Sequence, residues 1–369
     1  MDTRRWRARL AAGCLIVAVL AAACGDDGDG GGGSEDANDA LEVGSSEETT
    51  EDLEPNYGGT ASVGLESETN SWSTSEGTFD SPGVTVAMSF YDPLVGLTAD
   101  GEFAPFLAES LEPNEDLTEW TLTLRPDVTF HDGTPLDADA LKWNFDNLHY
   151  PESSKTRATL DQFGVTGMEV VDDLTVTYTL SERSAAFPDL LTGPVGWPAS
   201  PAAVERDPDG WGSNPVGTGP FVFESWTRDG ELRVTRNDDY WWSDDDGNQL
   251  PYLDEIVFVP VPDESARLAS LQSDSINVLQ TFRGPTVKAV QEMVDEGGFE
   301  ISTYVGNTSS VSLLNVLEPP LDDVRIRSAM AMANDQETLA AVRDDDGLVP
   351  PTTGVFSQDS PWYSAEADA

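Results

Sequence analysis

A mixed α/β fold is predicted by three features of this 369-residue chain. Trp120, Leu122 and Leu124 alternate with Thr121, Thr123 and Arg125, the period-two signature of a half-buried strand. Val324, Ile326, Ala329, Met330 and Ala333 recur at helical spacing and mark a buried stripe. Between these, the eight residues from Asn214 to Phe221 hold two prolines and two glycines. Proline lacks a donor and fixes φ while glycine favours unusual angles, so this run makes a shaped corner, not a helix or central strand. Periodicity leaves the choice between α/β and α+β topology open.

Taken in order, Ala61–Leu65 reads as a first strand, Glu66 to Trp72 as a polar loop, and Phe79 to Val84 as a turn. The Trp120–Leu124 strand is followed by a tight turn at Phe130–Pro135. It leads to a helix from Ala138 to Leu148 with Asp137 as N-cap. Leu174–Leu180 alternates again, and Ser200-Pro201 opens a short helix with serine as cap and proline in the first turn. After the corner come strands at Phe221–Glu224, Leu232–Arg236 and Ile256–Pro260, then a helix from Ser265 to Leu271. A strand at Ile276–Gln280, a helix from Gly284 to Asp295 and a strand at Phe299–Val305 follow. Asp322-Asp323 caps the last helix and Pro350-Pro351 stops it.

Composition restricts the setting. With 68 acidic against 19 basic residues the net charge is -49. Such a surface repels phosphate and anionic headgroups, which excludes nucleic acid as a partner and favours a solvated, self-repelling exterior. Arg4, Arg5, Arg7 and Arg9 precede an apolar run from Leu10 to Leu20, too short for a permanent span, and Ala21-Ala22-Ala23-Cys24 follows. Residues 1–23 thus read as an export signal. The stretch 24–58 is glycine-rich and acidic, and from Gly25 to Glu54 it holds no lysine or arginine; it reads as a disordered tether. Cys14 lies within the signal, so Cys24 is the one cysteine left after processing and no internal disulfide is possible.

Several blocks then resemble one family. Tyr91-Asp-Pro-Leu, Pro105 to Glu112, Trp120 to Pro135, Asn214 to Phe221, Arg236-Asn-Asp-Asp-Tyr240-Trp and Pro319 to Arg327 are similar, in the same order, to the family 5 solute-binding proteins of ABC importers. This is the oligopeptide, dipeptide and nickel-binding group. The resemblance implies a two-lobed clamshell of the periplasmic-binding-protein type, with an extra inserted domain and an incomplete second lobe. Residues 59–93 and 208–281 form the first lobe, 94–207 the inserted domain, and 282–369 the truncated second lobe. Separately, Ala21-Ala22-Ala23-Cys24 followed by Gly25-Asp-Asp resembles a bacterial lipoprotein signal, which implies Cys24 as a lipidation site and a protein held at the outer face of the membrane or in the periplasm. The family resemblance also implies a monomer that captures a small solute, most simply a peptide, for a permease and ATPase complex. Two local departures stand out: Ser273-Asp274-Ser275-Ile276-Asn277 replaces the usual glycine-then-aspartate pattern, and Trp242 stands where glycine commonly follows Tyr-Trp.

Trapping a solute between lobes calls for polar rims and aromatic walls. Glu68, Asn70 and Trp72, in the loop after the first strand, are candidates because the family's comparable loops face the cleft. Arg157 is a candidate partner for a carboxylate, and Trp197 a candidate wall. Packing is the competing explanation for both tryptophans, and an ordinary surface position for Arg157. No catalytic residue, metal site or cofactor is expected. His131 and His149 are the only histidines, and neither a Gly-x-Ser-x-Gly nor a phosphate loop occurs. A lipid-anchored receptor without transport remains open, as does a hydrolase using two of the many carboxylates.

Overall fold

The computed structural model describes residues 56–98, 102–244, 246–281, 284–302, 314–333 and 338. The export signal and residues 24–55 of the tether lie outside these residues; at the end of the predicted tether, Tyr57 donates its hydroxyl to the Gln249 carbonyl and the Gly58 amide donates to the Tyr252 carbonyl, each at 2.8 Å, so this end is tied to the fold. The chain divides into two compact units, with the boundary after Gln280.

The first unit contains two main sheets. Strand β1 (Thr60–Leu65) lies between β11 (Val278–Leu279) and β10 (Glu255–Pro260), parallel to both. β9 (Leu232–Arg236) and β8 (Phe221–Trp226) continue the sheet antiparallel, giving the order β11-β1-β10-β9-β8. Helix α1 (Ser81–Phe90) packs its buried Val86, Ala87 and Phe90 into the same core as Val63, Val234 and Phe258. Phe79–Val84 is therefore not a turn. Asp80 accepts from the Gly83 amide as N-cap and Pro82 stands in the first turn, where its missing N–H costs nothing. The same Pro-Gly pair reads as a turn when that capping is overlooked.

The second sheet is antiparallel, in the order β4-β5-β7-β6: β4 (Ala108–Pro113), β5 (Glu119–Leu124), β7 (Thr175–Leu180) and β6 (Val165–Asp172). β5 buries Trp120, Leu122 and Leu124, and β7 buries Val176, Tyr178 and Leu180, as the alternation requires. On the other face Thr121 and Thr177 form a hydroxyl pair at 3.3 Å. The two outer strands escape sequence reading because β6 buries only Val165 and Met168, too few for a periodic signal. A short hairpin of β2 (Val95–Leu97) and β3 (Phe103–Pro105) precedes this sheet.

Helix α2 (Ala138–Asn144) is shorter than expected. From Phe145 to His149 the backbone widens into a π-turn, with Asn144 buried and bonded through its side chain to Ala140 and Ala199. Asp137 and Ser200 do act as N-caps, of α2 and, after helices α3 (Arg157–Gln162) and α4 (Phe187–Leu190), of α5 (Pro201–Arg206). Trp242 packs edge-on to Phe106 at 4.7 Å and stacks on Trp241, so its replacement of the usual glycine has a packing explanation.

Helix α6 (Glu264–Gln272) ends at Ser273, and Asp274 adopts φ +58°. This is left-handed backbone, where glycine is unstrained and a Cβ is not. Asp274→Gly is expected to raise stability by about 0.5–1 kcal/mol, the relief of strain exceeding the added chain entropy; denaturant unfolding checks it. Asn277 holds β11 in register through its side chain, which accepts from the Ser62 amide at 2.7 Å and donates to the Thr60 carbonyl at 3.4 Å. The strand predicted over Ile276–Gln280 contracts to Val278–Leu279, the two residues in register with Val63 and Gly64 of β1.

In the second unit, α7 (Gly284–Glu296) buries Val290 and Met293. Phe299–Ser302 is irregular where a strand is expected, as no described strand pairs with it; the rest of that prediction lies outside the described residues. Helix α8 (Val324–Met332) is capped by Asp323, as its sequence predicts. Its apolar stripe stands exposed instead of buried, with Val324 at 61%.

Candidate functional site

In the first unit, three parallel strands end side by side, at Leu65, Pro260 and Leu279. The crevice outside the carboxyl ends of parallel strands is where open α/β sheets bind ligands, because loops diverge there and helix N-termini face it. Here β1 runs into the loop 66–80 and then into the N-terminus of α1, while β11 runs into Gln280.

The loop is closed by its own polar atoms. Thr69 donates to the Thr78 carbonyl at 2.8 Å, Asn70 Oδ1 accepts from the Thr78 amide at 3.0 Å, and Ser67 donates to the capping Asp80. Arg267 of α6 is fully buried beside it. Its guanidinium pairs with Glu66 at 3.1 Å and donates to the Val261 carbonyl at 2.6 Å, tying the ends of β1 and β10 to the helix. Removing either partner of such a buried pair leaves an uncompensated charge. On the neighbouring face, Gln280 Nε2 donates to Thr85 Oγ1 at 2.9 Å.

Three of the sequence-predicted residues come together in this loop, but each is engaged within the unit. Glu68 accepts from Trp226 Nε1 at 2.6 Å and from the Asp229 amide at 3.0 Å. Asn70 also receives Arg228 on its carbonyl. Both thus hold the β8–β9 hairpin. Trp72 is 2% exposed, edge-on to Phe90 at 5.5 Å and to Trp226 at 5.4 Å. Its indole nitrogen is buried without a partner, and the residue borders, with Ser67, Glu68 and Gly83, a cavity of about 10 Å³, enough for one water.

Trp197 is also buried, against Phe79 at 5.2 Å and donating to the Thr192 carbonyl. It joins the same aromatic cluster through Phe79, which also touches Trp72. Arg157 belongs to α3. It pairs with Asp161 at 2.9 Å, donates to the Tyr150 carbonyl and lies over the Tyr150 ring at 4.2 Å. Residues that sequence reading missed are Thr85, Gln280 and Arg267. The signal for the first was Asp80-Ser-Pro, a helix start that would have put Thr85 on the first turns of α1. For the other two no local signal exists, since their roles depend on the parallel pairing of β1 with β10 and β11.

The model of the bacterial extracellular solute-binding proteins, family 5, matches residues 102–369. The chain belongs to this family. Its curated relatives include the glutathione-binding protein GsiB of Salmonella paratyphi A, 31% identical over 289 residues, covering 77% of this chain and 55% of the relative. The GsiB of Pectobacterium atrosepticum is 32% identical over 269 residues, covering 71% and 49%. The chain thus spans about half the length of the curated relatives it matches. Among solved structures, the binding protein AgaA in complex with agropinic acid, from A. tumefaciens R10, aligns with TM-score 0.68 and 27% identity over 84% of this chain and 61% of that one. The oligopeptide-binding protein AppA of Bacillus subtilis, in complex with a nonapeptide, shares the fold at TM-score 0.66, 21% identity, 85% and 60% coverage. The α/β fold expected from the sequence is thereby borne out as the family's binding-protein fold. No described helix is long and apolar enough to cross a membrane.

Proposed function

We propose that this chain is the extracytoplasmic solute-capturing component of an ABC-type importer. In this reading it takes up a small solute, most simply a short peptide, by lobe closure and delivers it to a membrane permease with its ATPase. The observation that carries the reading is the family match over residues 102–369, joined to three parallel strands that end side by side, the carboxyl edge at which α/β folds bind ligands. The similarity to glutathione-binding proteins puts peptide-like solutes first. The lobe boundaries implied by the resemblance, the monomeric state, the exported location and a lipid on Cys24 belong to the same proposal. Loss of palmitate incorporation in Cys24→Ser cells checks the last.

The main test is a thermal-shift panel of glutathione, di- and tripeptides, opines, sugars and metal chelates. It uses both the 369-residue chain and the same chain extended by the region its relatives carry beyond the match. A bound peptide at 100 times its Kd is expected to add about 2.7 kcal/mol to the extended form. Silence of both forms across the whole panel would sink the proposal. Product formation from any peptide would point instead to a hydrolase.

A further inference from the structure

We propose that Gln280 is a specificity residue of this site, presenting its side-chain carbonyl to a free amino group of the bound solute. The inference rests on the solute-capture reading and names the chemistry the site selects: a solute with a free amino group at this point.

The argument begins with the threonine that holds the amide. Thr85 lies in α1 and donates its hydroxyl hydrogen to the Ser81 carbonyl at 3.1 Å. A threonine hydroxyl has one hydrogen, so toward Gln280, at 2.9 Å, this oxygen can only accept. The group facing Thr85 must then be the amide NH₂. The orientation of the Gln280 amide is thus assigned from its hydrogen-bond network.

The consequence is that Oε1 turns away from Thr85, and it is buried without a hydrogen-bond partner. A buried amide carbonyl is a strong acceptor in a low-dielectric setting and costs stability until it is paired. The main chain of Gln280 is fixed as well: its amide donates to the Gly64 carbonyl at 3.3 Å, at the end of the β11–β1 pairing. Held at backbone and amide nitrogen, the acceptor is pre-oriented at the carboxyl edge, with the nearby Glu66 carboxylate already committed to Arg267. Such a site rejects a solute that lacks the matching donor more strongly than an apolar wall would.

The test measures affinity by calorimetry for glutathione and for trialanine, each with a free and an N-acetylated amine, on the extended chain. Gln280→Met keeps the length and removes the carbonyl. It is expected to weaken the free-amine peptide that wild type prefers about tenfold, the worth of one buried hydrogen bond, and to leave the acetylated form within twofold. Thr85→Val, which frees the amide, is expected to give a smaller loss of the same selectivity. Equal losses for free and acetylated peptides, or no loss in Gln280→Met, would overturn the assignment while leaving solute capture intact. A wild-type protein that binds none of the four peptides overturns the amine preference, and silence across the full panel overturns the solute reading beneath it.

Discussion

Gly217→Val is expected to cost about 3 kcal/mol or more and to leave little folded protein at 37 °C. A Cβ built on Gly217 would stand 2.1 Å from the Phe90 carbonyl oxygen and 2.6 Å from Tyr91 Cδ1. The first obstacle is backbone at the end of α1, which cannot rotate aside as a long side chain could. Gly219 is under the same pressure, with Phe90 backbone atoms at 2.6 and 2.8 Å. The approach is this close because the corner is bonded on both sides: the Gly219 amide donates to the Phe90 carbonyl, and His131 donates through its backbone to Gly217 and through its ring to the Gly219 carbonyl. Even Gly217→Ala carries the clash. Gly167 in β6 is the control, having nothing within 4 Å; Gly167→Ala is expected to stay within about 0.5 kcal/mol. Equal unfolding midpoints for the two alanine variants would refute the close-approach argument.

Asp92→Ala is expected to cost a similar amount, about 3 kcal/mol, because one buried carboxyl group serves three donors from two segments. It accepts from Thr218 of the corner at 3.1 Å, from the Tyr240 hydroxyl at 3.0 Å and from Trp241 Nε1 at 2.9 Å. Asp92→Asn keeps one acceptor oxygen and is expected to cost less than alanine.

The carboxylate also has a pH signature. Burial pushes Asp92 up to about 7 against the pull of its three donors. Its folded pKa thus lies above the unfolded value of 3.8, so the native state binds more protons between these limits. This contribution to stability is fully present below about pH 4 and is lost as pH rises toward 7. His149 has the opposite sign. Burial lowers it from 6.5 to about 4, and its contribution is present above pH 6.5 and lost as pH falls toward 4. His131, lowered by burial in the same direction, adds to the histidine side.

In wild type the two slopes oppose each other between about pH 4 and 6.5. Asp92→Asn removes one of them. Chemical denaturation at pH 4.5 and 7.5 is expected to show a larger gap between wild type and Asp92→Asn at pH 4.5, by a few kcal/mol in order of magnitude. Equal gaps would mean that folding leaves the Asp92 pKa unshifted, and a gap wider at pH 7.5 that its three donors outweigh burial and hold it as the anion.

Much of the first unit was legible in the sequence because its signals are local. β5 and β7 alternate between a core face and a threonine face, and Asp137 and Ser200, like Asp323 in the second unit, cap helices where their side chains reach an amide two or three residues on. β4 and β6 were not legible, since edge strands with one or two buried residues leave no period to detect. The site residues show the same division. Glu68, Asn70 and Trp72 were found as a loop of polar and aromatic residues, but their partners come from Trp226, Arg228 and Asp229, more than 150 residues away.

The sequence by itself determined the family, the corner at Asn214 and the elements around it, because glycine, proline and capping residues act through their own backbone. Why that corner must be glycine was decided only by tertiary structure. The Gly217 and Gly219 backbone lies against Phe90 and Tyr91, and Thr218 bonds to Asp92, more than 120 residues earlier in the chain. Close packing between distant segments has no periodicity of its own, and it fixes both the cost of adding one carbon there and the charge state of Asp92 beside it.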